Sequence, residues 1–240
     1  MHRLLACTAL LCLGAAAPAS PSPSPAPAAP KASVAVLYFD DLSNSPELAV
    51  LRKGLSQMLI ADLVAAGGFT VVERARLQDV LDELKLGQSA KIDPTTANKI
   101  GKLIGARYLV VGSYLQLSGN MVLNAQVLEV ETAANVHALK VVGKADDFLA
   151  LEQKIAADFA PFLAKLVPPA PAKTGSLDSP AAKPKAAPSR LAVQTAVKYS
   201  KALDALDRKD AIAARAQLEA VVKDQPDFAL AAQELAALMR

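Results

Sequence analysis

Cysteine is almost absent from this chain of 240 residues, and both copies, Cys7 and Cys12, lie within the first dozen positions. Tryptophan is missing, and aromatic residues make up only 4% of a sequence that is 52% hydrophobic. A formal net charge of +3 is too small for a nucleic-acid partner, which would need a basic patch with stacking aromatics. The composition therefore predicts an aliphatic core without disulfides or thiol chemistry.

The first 19 residues are typical of a secretory signal peptide. A short basic start is followed by an apolar run from Leu4 to Leu13 and by small residues from Ala15 to Ala19. Cys7 lies in a sequence like a lipoprotein box, but too few apolar residues precede it, so we expect no lipid anchor. We expect export to the periplasm, with the periphery of the outer membrane as a candidate position. No later apolar run approaches ~20 residues, so the mature chain should have no transmembrane segment.

Most of the 16 prolines fall in two segments, which set the domain boundaries. Residues 20–31 form a tether of Pro, Ala and Ser, and residues 168–189 form a linker rich in Pro, Ala and Lys. Neither segment can bury enough apolar surface to fold. The chain is thus divided into a signal peptide (1–19), the tether (20–31), an α/β core (32–167), the linker (168–189) and a small helical unit (190–240).

The pattern of the core predicts an α/β fold with a mixed sheet, in the element order β-α-β-α-α-β-β-β-α. A strand over 34–39 is apolar on both sides, as expected in the middle of a covered sheet. Ser45–Pro46 predicts the start of a long amphipathic helix that ends at Gly67–Gly68. Asp93–Pro94 predicts a second capped start, with Gly105 as the end of that helix.

The remaining elements follow from periodicity and turn residues. They are a short strand over 69–72, a helix over 74–86 that stops at Gly87, strands over 107–117, 121–131 and 136–145, and a last helix over 146–166. Gly112 inside a strand indicates close backbone approach rather than a ligand. The apolar alternation changes phase at Val127–Leu128, which predicts a β-bulge.

Three stretches between Val34 and about Val142 follow one another in a recognisable order: VAVLYFDDLSNSPEL, GFTVVERARLQDVLDELKLGQSAKIDPTTANKIGKLIGARYLVVGSYLQLSGN and LNAQVLEVETAANV. In sequence and order they resemble the soluble periplasmic core of the curli secretion lipoprotein CsgG and its relatives, and more loosely the amino-terminal domain of TolB. The resemblance implies the fold and an envelope setting, and it brings no active site or cofactor. Short connections between strands and a misplaced cysteine argue against a secretion pore made by this chain alone.

The last fifty residues resemble a tetratricopeptide repeat. Ala202, Ala214 and Pro226 fall at the small-residue and terminal-proline positions of the 34-residue pattern, whereas Ala205 and Leu218 occupy its aromatic positions. One repeat cannot bury much apolar surface by itself. We therefore expect the unit to dock on the core, to self-associate or to bind a partner.

Two groups of polar residues are candidate sites. A ligand loop is predicted at the end of the first strand, where open α/β sheets often bind ligands; its residues are Asp40, Asp41 and Asn44. The same residues are common turn formers, and no third carboxylate follows at calcium-loop spacing. A protein interface is predicted on the charged outside of the 74–86 helix, where ordinary solvated decoration is the alternative; its residues are Arg74, Arg76, Asp79, Asp82 and Glu83.

No catalytic or metal-binding set is found in the sequence. His137 is the one histidine after the signal peptide and alternates with apolar neighbours, so we interpret it as structural; a hydrolase would rest on it alone. The sequence predicts a non-enzymatic scaffold or accessory protein for envelope assembly or curli-type export. Its expected partners are envelope or secretion proteins, and a homo-oligomer is a candidate state. The alternative is a periplasmic module that senses a small ligand or glycan.

Overall fold

A computed structural model of the chain describes residues 33–43, 45–86, 93–167 and 191–240. The predicted signal peptide, tether and linker lie outside these residues, as do Asn44 and Gly87. The described helices are α1 (Leu51–Ala66), α2 (Arg74–Glu83), α3 (Pro94–Ile104), α4 (Phe148–Leu166), α5 (Val193–Asp207), α6 (Ala211–Asp224) and α7 (Ala229–Leu238). The strands are β1 (Ser33–Val36), β2 (Asp40–Asp41), β3 (Thr70–Val71), β4 (Tyr108–Leu117), β5 (Asn120–Glu129) and β6 (Asn135–Lys144).

The strands form one mixed sheet in the order β3-β1-β4-β5-β6, with β2 also paired to β4. β1 is parallel to β3 and β4, whereas β4, β5 and β6 are antiparallel to one another. β1 is buried on both sides, as its continuous apolar pattern predicts. The predicted α/β class with a mixed sheet is confirmed.

Helices cover both faces of the sheet. Alternate strand residues point to opposite faces, so Val34 and Val36 pack with α1 and α4, while Ala35 and Leu37 pack with α2 and α3. The first of these two clusters continues into α5, α6 and α7. The helical unit is therefore part of the main apolar core, and docking on the core is the arrangement that the structure has.

Local boundary signals predict α3 well. The Asp93 carboxylate accepts hydrogen bonds from the N–H groups of Thr95 at 2.8 Å and Thr96 at 3.1 Å, and thus caps the helix. Gly105 ends the helix in the left-handed conformation, with φ of 72°. Gly67 at the end of α1 also has a positive φ of 72°, but its ψ of −171° differs from that of the left-handed helix.

The predicted close backbone approach at Gly112 and the predicted β-bulge are both confirmed. A Cβ atom at position 112 would lie 2.3 Å from the carbonyl oxygen of Asn124 and 2.3 Å from Cε1 of Phe39, so only glycine allows this approach. The register of β5 and β6 shifts between Val127 and Leu128.

The predicted start of the first helix at Ser45–Pro46 is wrong. The Ser45 carbonyl accepts hydrogen bonds from the N–H groups of both Leu48 and Ala49, which closes a separate turn over residues 46–50. Regular helix begins only at Leu51. The first strand is shorter than predicted, since β1 ends at Val36. Asp40 and Asp41, predicted to lie in a loop, instead pair with Ser113 and Tyr114 as β2.

The helical unit is a hairpin of α5 and α6 with α7 folded back along α6. Its first turn spans residues 208–210, where Lys209 has φ of 60°. The Asp210 carboxylate accepts a hydrogen bond from the N–H of Ala213 at 3.0 Å and starts α6. The rings of Tyr199 and Phe228 meet edge to face at 5.0 Å, which fixes the chain entering α7 against α5.

Candidate functional site

A buried ion network joins the helical unit to the core. Lys53 of α1 is only 1% exposed, and its Nζ donates hydrogen bonds to Asp204 at 2.8 Å and to Asp207 at 2.7 Å, both on α5. Arg208 reaches the same Asp204 from the surface at 3.1 Å. A buried charge is tolerated only when it is paired and hydrogen-bonded, so this lysine requires both aspartates. We call these residues, with Arg74, the seam network.

Arg74 at the start of α2 completes the seam network. Its guanidinium donates to both carboxylate oxygens of Asp207, at 2.8 and 2.9 Å, and to the Tyr38 hydroxyl at 3.4 Å. Burial alone would lower the pKa of Arg74, but Tyr38 and Asp207 outweigh it and raise the pKa. Burial raises the pKa of Tyr38 to about 12, so its hydroxyl stays protonated and donates to Gln78 at 2.8 Å.

Helices α1 and α5 also approach each other closely beside the ion pairs of the seam network. The N–H of Gly54 donates to Oγ of Ser200 at 3.1 Å, and that hydroxyl donates to the carbonyl of Ala196 at 2.7 Å. A Cβ at position 54 would lie 2.1 Å from the same Oγ. Glycine here therefore sets the distance between α1 and α5.

Tyr199 of α5 and Glu234 of α7 lie at the edge of the seam network. The Tyr199 hydroxyl and Nε of Arg74 are buried and have no hydrogen-bond partner within the described part of the chain. Burial raises the pKa of Tyr199 and also that of Glu234 on α7, where Asp207 adds to the rise and Arg74 opposes it. The charges of Arg74 and Asp207 thus act on the pKa of a residue of α7 as well.

A buried acid of α4 lies beside a half-buried acid of α1. Glu152 is completely buried, and among the described residues neither of its carboxyl oxygens has a hydrogen-bond partner. Burial raises the pKa of Glu152 well above its usual value, and Asp62 adds to the rise. Burial also raises the pKa of Asp62. Burial and the neighbouring acid thus both favour the protonated form of Glu152.

Two of the three predicted ligand-loop residues belong to β2. The carboxylate of Asp41 accepts a hydrogen bond from the N–H of Ser43 at 2.8 Å. Nearby, the Arg52 guanidinium lies 5.7 Å from the centre of the Tyr38 ring. Burial lowers the pKa of Arg52, and Asp40 and Asp41 partly oppose this. A ligand at this loop, which includes Asn44, stays a prediction.

The predicted interface residues of α2 separate into two groups. Arg74 points inward and is used by the seam network. Arg76, Asp79 and Glu83 are exposed, and Asp82 accepts a hydrogen bond from Gln78 at 2.8 Å. The exposed group remains a predicted interface.

The repeat-like positions and His137 have structural surroundings. Ala202 and Ala214 are fully buried between α5 and α6, and Pro226 is exposed at the turn before α7. His137 lies on the edge strand β6, contacts Asp158 at 2.5 Å and stacks on Phe162 at 4.3 Å. Within residues 33–43, 45–86, 93–167 and 191–240, no cluster of three or more His, Cys, Asp or Glu could hold a metal ion. In the same residues, no helix has the length and hydropathy of a membrane span.

The seam network was not predicted from the sequence. Lys53 is 151 residues from Asp204, and every residue around it from Leu51 to Ser56 is buried, so no amphipathic spacing marks it. The signals that existed were weak: a glycine in mid-helix at position 54, and two acids three residues apart on an alanine-rich helix.

Comparison with known proteins addresses the core. Residues 22–124 match the family model described as "Curli production assembly/transport component CsgG". Over these residues the chain is similar to the CsgG family. The resemblance predicted from the stretches between Val34 and Val142 is thereby confirmed, over the matched residues.

Several solved structures are similar to this chain. The LpoB C-terminal domain from Salmonella enterica is 19% identical and covers 49% of this chain and 85% of that one, with a TM-score of 0.40. Lipoprotein GNA1162 from Neisseria meningitidis is 13% identical and covers 55% and 96%, at 0.44. TolB from Acinetobacter baumannii is 14% identical and covers 58% and 29%, at 0.33.

One curated protein also matches. It is named "Putative adenylate cyclase 3" from Rhizobium meliloti (strain 1021) and is 25% identical over 125 residues. The match covers 52% of this chain but only 20% of that protein. This chain thus matches only a small part of the length of this relative.

Proposed function

We propose that the protein is a non-enzymatic accessory or scaffold of the cell envelope that works through protein contacts. The observation that carries this proposal is the seam network, in which Lys53 and Arg74 of the core bind Asp204 and Asp207 of the helical unit. A unit bound in this way keeps a fixed orientation on the core. It can then present a binding surface to an envelope or secretion protein.

The surface that we assign to the partner is the end of the helical unit where α6 begins and α7 finishes. α6 and α7 pack against each other, with Ile212 near the start of α6 and Met239 directly after α7. Their exposed fractions are 86% and 64%, the first being high for a large apolar side chain. The match to the CsgG assembly/transport family supports a periplasmic setting for this contact.

Site-specific photo-crosslinking in cells tests the proposal. A photoreactive amino acid at Ile212 should give a discrete adduct with an envelope protein. The matched control is the same amino acid at Val64 at the end of α1, which is 57% exposed but lies on the core. The proposal predicts no such adduct from Val64. It fails if Ile212 gives no adduct, or if both positions give the same set.

A further inference from the structure

The strand β6 forms an open edge of the sheet. In the part of the chain that the structure describes, it pairs with β5 alone. Helix α4 packs on one face of this end of the sheet, whereas α2 and α3 pack on the opposite face around Ala35, Leu37 and Leu109. A long unpaired edge can accept a further strand from another chain.

The register of the sheet shows which backbone groups of β6 point outward. The N–H of Leu42 donates to the carbonyl of Tyr114 at 2.8 Å, so even-numbered residues of β4 bond toward β2. Alternate residues of a strand bond to opposite neighbours. Following this alternation through the two antiparallel ladders directs the N–H and C=O groups of Ala138, Lys140 and Val142 away from β5. These groups can form the ladder of an added strand.

An apolar row crosses the face opposite α4 and ends at this edge. Leu115 pairs with Val122, and Val122 pairs with Val142, so the three side chains lie side by side on β4, β5 and β6. The hydrogen bond from Leu42 to Tyr114 continues the register of β2 and puts Leu42 beside Leu115. Leu42 is 44% exposed and Val142 is 56% exposed. An apolar side chain on an added strand would extend the row at a spacing of about 5 Å.

Two lysines flank the end of the row. Lys140 and Lys144 are exposed on the same side of β6 as Val142, two residues before it and two after it. Antiparallel pairing of two copies of β6 centred on Val142 would put Lys140 of one copy opposite Lys144 of the other, and like charges in such a pair are destabilising. An acid opposite each lysine is stabilising instead. The edge thus favours a strand in which an apolar residue has an acid two positions away on either side.

The rest of this chain does not offer such a strand, because the residues outside the described ranges contain a single acid, Asp178. We propose that β6 binds an extended acidic segment of another protein, which adds to the sheet as an antiparallel strand. An acid-x-apolar-x-acid pattern in that segment would lie along Lys144, Val142 and Lys140. This inference rests on the proposed scaffold function and deepens it by naming the chemistry of one partner segment.

Peptide titration of the isotope-labelled, purified protein, followed by NMR, tests the assignment. The probe is the peptide acetyl-Thr-Glu-Thr-Val-Thr-Glu-Thr-amide, and its matched control has lysine in place of both glutamates. The acidic peptide should bind about tenfold more tightly or better, because two attractive pairs replace two repulsive ones. It should shift the amide signals of β6 and slow the hydrogen exchange of Lys140 and Val142.

Three variants separate strand addition from general attraction between charges. Lys140→Glu/Lys144→Glu should reverse the preference between the two peptides. Lys165→Glu/Lys201→Glu, at exposed positions of α4 and α5, changes the net charge equally and should keep the preference. Val142→Pro removes one outward N–H but no bond to β5, so it should weaken binding of the acidic peptide about tenfold while the circular dichroism spectrum is kept.

Equal affinity for the two peptides, or signal shifts confined to other parts of the protein, would overturn the assignment. Undiminished binding to folded Val142→Pro would overturn it as well. If that variant does not fold, the charge reversal decides, and an unreversed preference contradicts the proposal. Only purified protein and defined peptides are used, so the outcome is independent of whether Ile212 crosslinks to an envelope protein.

Discussion

Replacing Lys53 by methionine should destabilise the protein strongly, because the change removes a buried charge that the carboxylates of Asp204 and Asp207 share. Methionine keeps most of the apolar stem and deletes the ammonium group that bonds Asp204 at 2.8 Å and Asp207 at 2.7 Å. Removing one partner of a buried pair typically costs 3–5 kcal/mol. Asp207 keeps Arg74, and Asp204 keeps Arg208 at the surface, so we expect the lower end, about 3 kcal/mol.

Helix α5, which carries the two aspartates, offers a matched control. Lys198 of α5 pairs with Asp224, but these side chains are 44% and 42% exposed. Lys198→Met should therefore cost less than about 1 kcal/mol, and added salt should reduce even this cost. Salt should leave the loss in Lys53→Met nearly unchanged, because water and ions do not reach a buried pair.

Urea unfolding followed by circular dichroism measures both free energies. Equal slopes with a shifted midpoint would identify a change in stability rather than in the denatured state. The reasoning is refuted if Lys53→Met and Lys198→Met lose the same small amount, because the seam network would then carry no buried charge.

Two further predictions concern buried positions. Burial raises the pKa of Glu152, so the folded protein holds a proton that the unfolded chain releases. Stability should therefore fall as pH rises from the usual glutamate range through the raised pKa. Glu152→Gln should remove this fall in melting temperature, and parallel curves of melting temperature against pH for the two proteins would contradict the prediction. Gly54→Ala should cost about 1–3 kcal/mol in urea unfolding, because its Cβ would lie 2.1 Å from Oγ of Ser200; adding Ser200→Gly should recover part of the loss, and an additive loss would disprove the clash.

Sequence reasoning predicts an element best where its boundaries are set by nearby residues. Asp93 and Gly105 cap α3 through contacts within a few positions, and both boundaries are confirmed. The start of α1 fails because the turn closed by the Ser45 carbonyl uses the same proline signal as a helix start. β2 is missed because Asp40 is placed by pairing with Ser113, far along the chain.

The candidate site depends even more on distant contacts. Sequence alone marks the exposed charges of α2 but cannot tell that Arg74, on the same helix, turns inward to Asp207, 133 residues away. Lys53 has no local feature that separates it from a surface lysine. The burial of Lys53 and its pairing with Asp204 and Asp207 arise only when α5 packs on α1. The sequence shows these charged residues but gives no sign that they pair with one another.

Cleavage of the chain between the core and the helical unit tests the central claim most directly. Cleavage at a specific protease site placed between Val167 and Leu191 would break the covalent link between the core and the helical unit and leave the seam network unchanged. The shared apolar cluster and the ion pairs predict that the two fragments still elute together in gel filtration under native conditions. Two separately eluting fragments would contradict the claim that the unit is held on the core.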